Sequence, residues 1–195
     1  MVKEIRIYFE GHPGLRAGFH KFLGSVIEAA RERRCRLELV ASEGKPVGDF
    51  MKALRKHPDA FNVLLLDSER PDSSLLFQEL QRRDDWRPAG PVSIDQVHWM
   101  IELMESWFLA DRNALSRFYG QGFREAALPG NPDVEKIPKI DVLSGLKSAT
   151  AQSRKGAYKK GAHAPKILEA VNPAAVRRAA PGCERLFADL GSRLG

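Results

Sequence analysis

The sequence predicts an α/β domain, a mostly parallel sheet flanked by helices, with a helical lobe at the C-terminal end. Three observations carry that expectation. Glu4–Phe9 alternates, with Ile5, Ile7 and Phe9 on one face. Phe61–Leu66 is an unbroken apolar run that stops at Asp67, the pattern of a central parallel strand buried on both faces. Between them, helical and strand-like segments follow in βαβαβ order, which needs crossover connections.

The elements follow in chain order. The turn Glu10–Gly14 ends the first strand. Phe19, Phe22, Leu23, Val26, Ile27 and Ala30 give the stretch Leu15–Arg34 a helical apolar stripe. Leu37–Val40 reads as a second strand, and Val47–Lys56 as a helix with Phe50, Met51 and Leu54 inward. Asp72–Arg83 is expected to be helical and Val92–Val97 a short strand. Met100, Leu103, Met104, Trp107 and Phe108 recur at three- and four-residue spacing, so His98–Ala110 reads as the clearest helix in the chain. Asn113–Tyr119 continues as helix or turn, and residues 120–141, with Gly120, Gly122, Pro129, Gly130, Pro132 and Pro138, as a long loop. Asp141–Ala151, His163–Val171 and Pro173–Leu190 complete a helical lobe. The expected division is an α/β core over residues 1–112 and a loop with a basic helical lobe over 113–195, packed as one domain.

With 43% hydrophobic residues in 195, the chain can bury a core and is no disordered polymer. No apolar run reaches the roughly 18 residues of a membrane span. No signal or transit pattern precedes the first strand, so a cytoplasmic location is expected. Cys35 and Cys183 are too few and too far apart for a disulfide framework or a cysteine-rich zinc site. The net charge of +6 is uneven: residues 147–195 carry 10 Lys+Arg against 3 Asp+Glu, while the rest is nearly balanced. Such a basic stretch suits a polyanion, and it is also what a solvated lysine-rich tail looks like.

Glu10 closes the first strand, and Asp67 and Glu69 close the apolar one. In open α/β sheets, ligands sit outside the carboxyl ends of the strands. Carboxylates gathered there repel one another unless a cation lies between them, and hard oxygen donors favour Mg²⁺ or Mn²⁺. Taken singly, each acid is also what an ordinary loop carboxylate looks like. Glu102 and Glu105, three apart on the expected helix with His98 four before Glu102, form a second acidic group that could bind another ion or simply be a solvated face. Lys155–His163 is basic and glycine-containing; Lys155, Tyr158, Lys159, Lys160 and His163 are candidates for contact with a nucleic-acid backbone, and one lysine could stabilise charge in the transition state. No P-loop, HExxH, GxSxG or CxxC occurs.

The runs Ile7–Gly11 and Leu64–Glu69 resemble the Toprim signature, a strand-end glutamate followed by glycine and later a strand-end Asp-x-Asp. Glu69 departs from it, standing where aspartate is usual. Met100–Asp111 is similar to the helix that carries further acidic residues in the overcoming-lysogenization-defect nucleases. The whole chain resembles a bacterial Toprim-like family of unknown function, through Glu105–Asp111, Ile137–Asp141, Gly156–His163 and Pro173–Phe187. The resemblance implies a Rossmann-like Toprim fold and a Mg²⁺- or Mn²⁺-dependent nuclease. In it Glu10, Asp67 and Glu69 bind one ion, Glu102 and Glu105 help bind a second, and Lys160 stabilises charge. It also implies an effector subunit of an anti-phage system, controlled by an ABC- or AAA-type ATPase encoded nearby. The alternative is a non-catalytic or inhibited subunit that docks on the ATPase and nucleic acid, with Trp99, Trp107 and residues 120–141 as candidate interface; homo-oligomers are also compatible.

Overall fold

The computed structural model describes residues 2–70 and 75–195. Four strands, β1 (Glu4–Glu10), β2 (Arg36–Ser42), β3 (Phe61–Asp67) and β4 (Val97–Met100), form one sheet in the order β2-β1-β3-β4, with every pairing parallel. This is an α/β fold, consistent with a Rossmann-like arrangement. All four strands therefore run out at the same edge of the sheet, and the acids at the ends of β1 and β3 become neighbours because those strands are paired.

The side-chain alternation of each strand divides the core in two. Ile5, Ile7, Phe9, Val63 and Leu65 face a large cluster. That cluster is built with α1 (Arg16–Phe22), α2 (Gly24–Glu32) and most of the later helices. Tyr8, Leu64 and Leu66 face the opposite side, packed with α3 (Pro46–Lys56), α4 (Leu76–Gln81) and Trp86. The first residues of the expected helix Asp72–Arg83 lie outside the described residues; Leu76–Gln81 is helical.

The rest of the chain returns to the larger core. Two short helices, α5 (Ser106–Leu109) and α6 (Arg112–Tyr119), lead into single 3-10 turns at Glu125–Ala127 and Val134–Lys136 within the long connection. Then come α7 (Lys139–Thr150), α8 (Lys160–Ala170), α9 (Pro173–Ala179) and α10 (Pro181–Leu194). Residues before and after position 112 share one hydrophobic cluster. At Gly18, α8 comes so near α1 that an added Cβ would stand 3.0 Å from Leu168 side-chain atoms and from the Pro165 carbonyl. Because α1 closely follows β1, this close approach sets the start of α8 beside the strand ends. α10 covers the outer edge of β4, where Arg185 donates to the Val97 carbonyl. Covered edges resist pairing with foreign strands.

Two expected helices are broken. The stretch Leu15–Arg34 is interrupted at Leu23, and Pro173–Leu190 at Ala180, whose extended backbone precedes Pro181. A third is absent: Val97–Met100 is a strand and only Ser106–Leu109 is helical, so the helix His98–Ala110 is corrected to strand, turn and a single helical turn.

Asp111 ties two parts of this layer together. One oxygen accepts from Ala114 N–H to cap α6, and the other accepts from Asn172 N–H ahead of α9. Asp111→Ala should lower stability by about 2 kcal/mol, a lost cap plus one orphaned amide, measurable as a shift of the urea midpoint.

Candidate functional site

At the carboxyl edge of the sheet, the end of β3 and the segment after β4 are laced together. Ser68 N–H donates to the Met100 carbonyl and Glu69 N–H to that of Glu102. Glu102 N–H donates to Ser68 Oγ at 2.7 Å, and Met104 N–H to Asp67 Oδ1 at 2.8 Å. Holding this double turn needs left-handed backbone at two non-glycine residues, Glu69 (φ 59°) and Glu102 (φ 61°). Such conformations cost about 1–3 kcal/mol each and persist where surroundings over-determine them, often at functional sites.

Asp67 is the centre. Its N–H donates to Glu10 Oε2 at 3.3 Å, which brings the two strand-end acids together. With Oδ1 engaged by Met104, Oδ2 is left facing Lys160 Nζ at 3.6 Å. Glu105, fully buried, approaches the same ammonium. Its Oε1 accepts from the Tyr158 phenol at 2.8 Å, while its Oε2, which makes no hydrogen bond, faces Lys160 Nζ at 3.4 Å. Among the described residues these two carboxylate oxygens have no hydrogen bond, and both lie near one ammonium.

The electrostatics follow from that crowding. Desolvation, reinforced by the negative charges of Glu105 and Glu10, pushes the Asp67 carboxyl up to about 7 against the pull of Lys160 and Met104 N–H. Burial disfavours the Lys160 ammonium, but the carboxylates of Glu105 and Asp67 outweigh it, and its pKa stands above the usual value. Burial and then Glu105 raise the Tyr158 phenol, so it stays protonated and acts as a donor.

The other candidates are placed differently. The Glu69 carboxylate, 60% exposed, pairs with Lys139 at the start of α7. Glu102 is buried and joins the double turn through its main chain, so the helical face expected to present it with Glu105 does not exist. His98 is buried in β4 with Nε2 against the Asp95 carbonyl, and desolvation, then Arg185, lowers it to about 3; it is a neutral core residue. Tyr158 is corrected from a phosphate contact to an internal donor, being 4% exposed. His163 is also internal, its Nδ1 shared between the Tyr119 phenol at 2.9 Å and Lys159 N–H at 3.3 Å. Burial, then Lys159 and Lys155, lowers its pKa. Lys159 and Lys160 are exposed to solvent at the start of α8, and Lys155 lies 4.8 Å over the Phe118 ring. Trp107 is fully buried, stacked 5.1 Å from Phe22, and Trp99 is 8% exposed, which removes both from a free interface.

Among the described residues, no three acidic, histidine or cysteine side chains stand together as they would around a metal ion. A space of about 350 Å³ lined by Phe77, Trp99, Ile101, Glu135 and Arg185 shares no residue with the cluster. The cluster itself reaches the surface through Lys160, whose side chain is 56% exposed. Lys139, Ser68 and the Met104 amide are participants that spacing in the sequence did not mark. Lys139 falls in the segment Ile137–Asp141, but nothing there announced its pairing with Glu69.

Residues 17–191 match the model of a family described as Domain of unknown function (DUF4276). The chain belongs to that family. No curated protein and no solved structure matches this DUF4276 chain. Among its described residues, no helix is long and apolar enough to cross a membrane.

Proposed function

We propose that this DUF4276 chain is a metal-dependent, Toprim-like nuclease that hydrolyses phosphodiester bonds in DNA or RNA. The observation that carries the reading is the convergence of Asp67 Oδ2 and Glu105 Oε2 on one ammonium, with Glu10 on the Asp67 amide, at the carboxyl ends of parallel strands. Glu105 Oε2 is buried, has no hydrogen bond among the described residues and lies 3.4 Å from the Lys160 ammonium, and the donors gathered there are the hard oxygens that Mg²⁺ and Mn²⁺ take. An ion there would take Asp67 and Glu105 as ligands, with Glu10 close by on the Asp67 amide; three acids do not already stand grouped around one point among the described residues. Glu69 and Glu102, expected as further ligands, do not join the set.

Such an ion would polarise a phosphoryl oxygen and lower the pKa of a bound water. The chain's own residues supply the remainder. Lys160 stands at the mouth of the cluster, where its ammonium can meet the charge that builds on a phosphate. Lys159 beside it, together with the excess charge of the C-terminal quarter, suits an extended polyanion. The cluster reaches the surface through Lys160, where a polymeric substrate would approach. Glu105 and Tyr158 are both buried.

Cleavage of DNA, tRNA and other RNA with Mg²⁺ or Mn²⁺ tests the proposal. Glu10→Gln, which keeps shape and removes charge, should reduce cleavage at least about a hundredfold. Full activity of that variant would exclude the site. A role as the effector of a cytoplasmic anti-phage system, under an ATPase partner, is part of the proposal and rests on the family resemblance. Co-purification with a neighbouring ATPase, and cleavage released by its ligand, would support it. The alternative, an inhibited or non-catalytic subunit, gains from Lys160 already neutralising the acids; Mn²⁺ binding without cleavage, alone or with the ATPase, would favour it.

A further inference from the structure

Tyr158 has a place in the fold that a surface contact would not need. Its main-chain N–H donates to Thr150 Oγ1 at 2.7 Å, and that hydroxyl in turn donates to the Leu146 carbonyl at 2.7 Å within α7. Thr150 is fully buried and Tyr158 nearly so. The phenol is thereby anchored to a helix rather than left to a loop, and its single hydrogen bond of 2.8 Å ends on Glu105 Oε1. The other oxygen, Oε2, has no hydrogen bond among the described residues and faces Lys160 Nζ at 3.4 Å.

We propose that Tyr158 is a positioning residue for Glu105: by fixing one carboxylate oxygen it turns the other toward Asp67 and Lys160, the place where a divalent ion would bind. A carboxylate with no such anchor could rotate, and that would withdraw it as a ligand. This inference rests on the proposed metal site and assigns the residue that orients one of its ligands. The role is carried by the phenolic oxygen alone, because the ring also fills the core.

The test is Mn²⁺ titration by calorimetry on the full chain without nucleic acid, comparing wild type with Tyr158→Phe. The expected result is a 10- to 100-fold weaker Mn²⁺ affinity, the usual cost of losing a group that orients a metal ligand, with far-UV circular dichroism unchanged. A lowered thermal midpoint with unaltered Mn²⁺ affinity would mark Tyr158 as structural only and overturn the proposal. If Tyr158→Phe does not fold, Thr150→Val, which frees the main chain of Tyr158 and keeps its ring, must weaken Mn²⁺ binding in the same direction; unchanged affinity there also overturns it. Wild-type chain that binds no Mn²⁺ would instead remove the metal site and this inference with it, a result distinguishable from selective failure of the variant.

Discussion

Asp67→Asn should produce a more stable protein that lacks the proposed nuclease activity. In metal-free buffer at pH 8, the variant is expected to exceed wild type by up to roughly 4 kcal/mol, the worth of a carboxyl moved from its unfolded value near 4 to about 7. Ionising Asp67 is opposed first by desolvation and then by Glu105 and Glu10. Its folded pKa is raised, so the folded state holds the proton more tightly than the unfolded chain does. Wild type therefore loses stability as pH rises from about 4 to about 7 and loses no more above that. Asparagine mimics the protonated form, so its advantage should be absent near pH 4, grow through that window and level off beyond it. Denaturant titrations at pH 4.5, 6 and 8 provide the measurement. Equal stability at pH 8 would mean that Asp67 is solvated. The same substitution removes a charge from the proposed ligand set and should cut cleavage on the order of a thousandfold or more. Stability gained where function is lost is the usual mark of a strained site.

Gly122→Ala is expected to be the most damaging small substitution away from the site. Gly122 has φ +84°, and an added Cβ would lie 2.1 Å from the Gln152 carbonyl oxygen, 2.7 Å from its carbon and 3.1 Å from Ser153 Cα. All three are main-chain atoms, so no side chain can swing aside. The backbone strain and the overlap together should cost roughly 3–5 kcal/mol. Gly156→Ala is the control: it has φ +74° with nothing near the added carbon, and should cost only about 1 kcal/mol. A similar loss in both variants would show that dihedral strain, and not the packing of residues 152–153 on the 122 turn, decides the outcome. Displacing that segment also moves the approach to Tyr158, so Gly122→Ala should weaken Mn²⁺ binding as well.

The parallel sheet and its first three strands were legible because each strand declares itself locally. Alternation at Ile5, Ile7 and Phe9 and the unbroken run Phe61–Leu66 need no knowledge of the remainder. The pairing of Glu10 with Asp67 was legible for the same reason, since both acids sit at strand ends and parallel strands end together. The segment after Gln96 misled because every residue from Val97 to Leu109 is buried. With no wet side, the spacing of Met100, Leu103, Met104 and Trp107 imitates a helix while the chain is strand and then turn. The face assigned to His98, Glu102 and Glu105 was read as polar because the residues are polar; all three lie inside. Glu69 could not be placed in advance because its fate depends on the left-handed turn and on Lys139, seventy positions away. Tyr158 was drawn to the surface by its lysine neighbours, whereas its anchor on Thr150 is a tertiary contact.

The close seat of α8 on α1 has a consequence for how the chain is made. A ribosome delivers Glu10, Asp67 and Glu105 long before it delivers Lys160. Until that residue emerges and its helix docks at Gly18, the acids already threaded have no ammonium among them, and their mutual repulsion works against closing the carboxyl edge of the sheet. The complete arrangement therefore forms late, as one of the last events of synthesis, and a nascent fragment halted before residue 160 should carry a splayed acidic cluster without its ammonium.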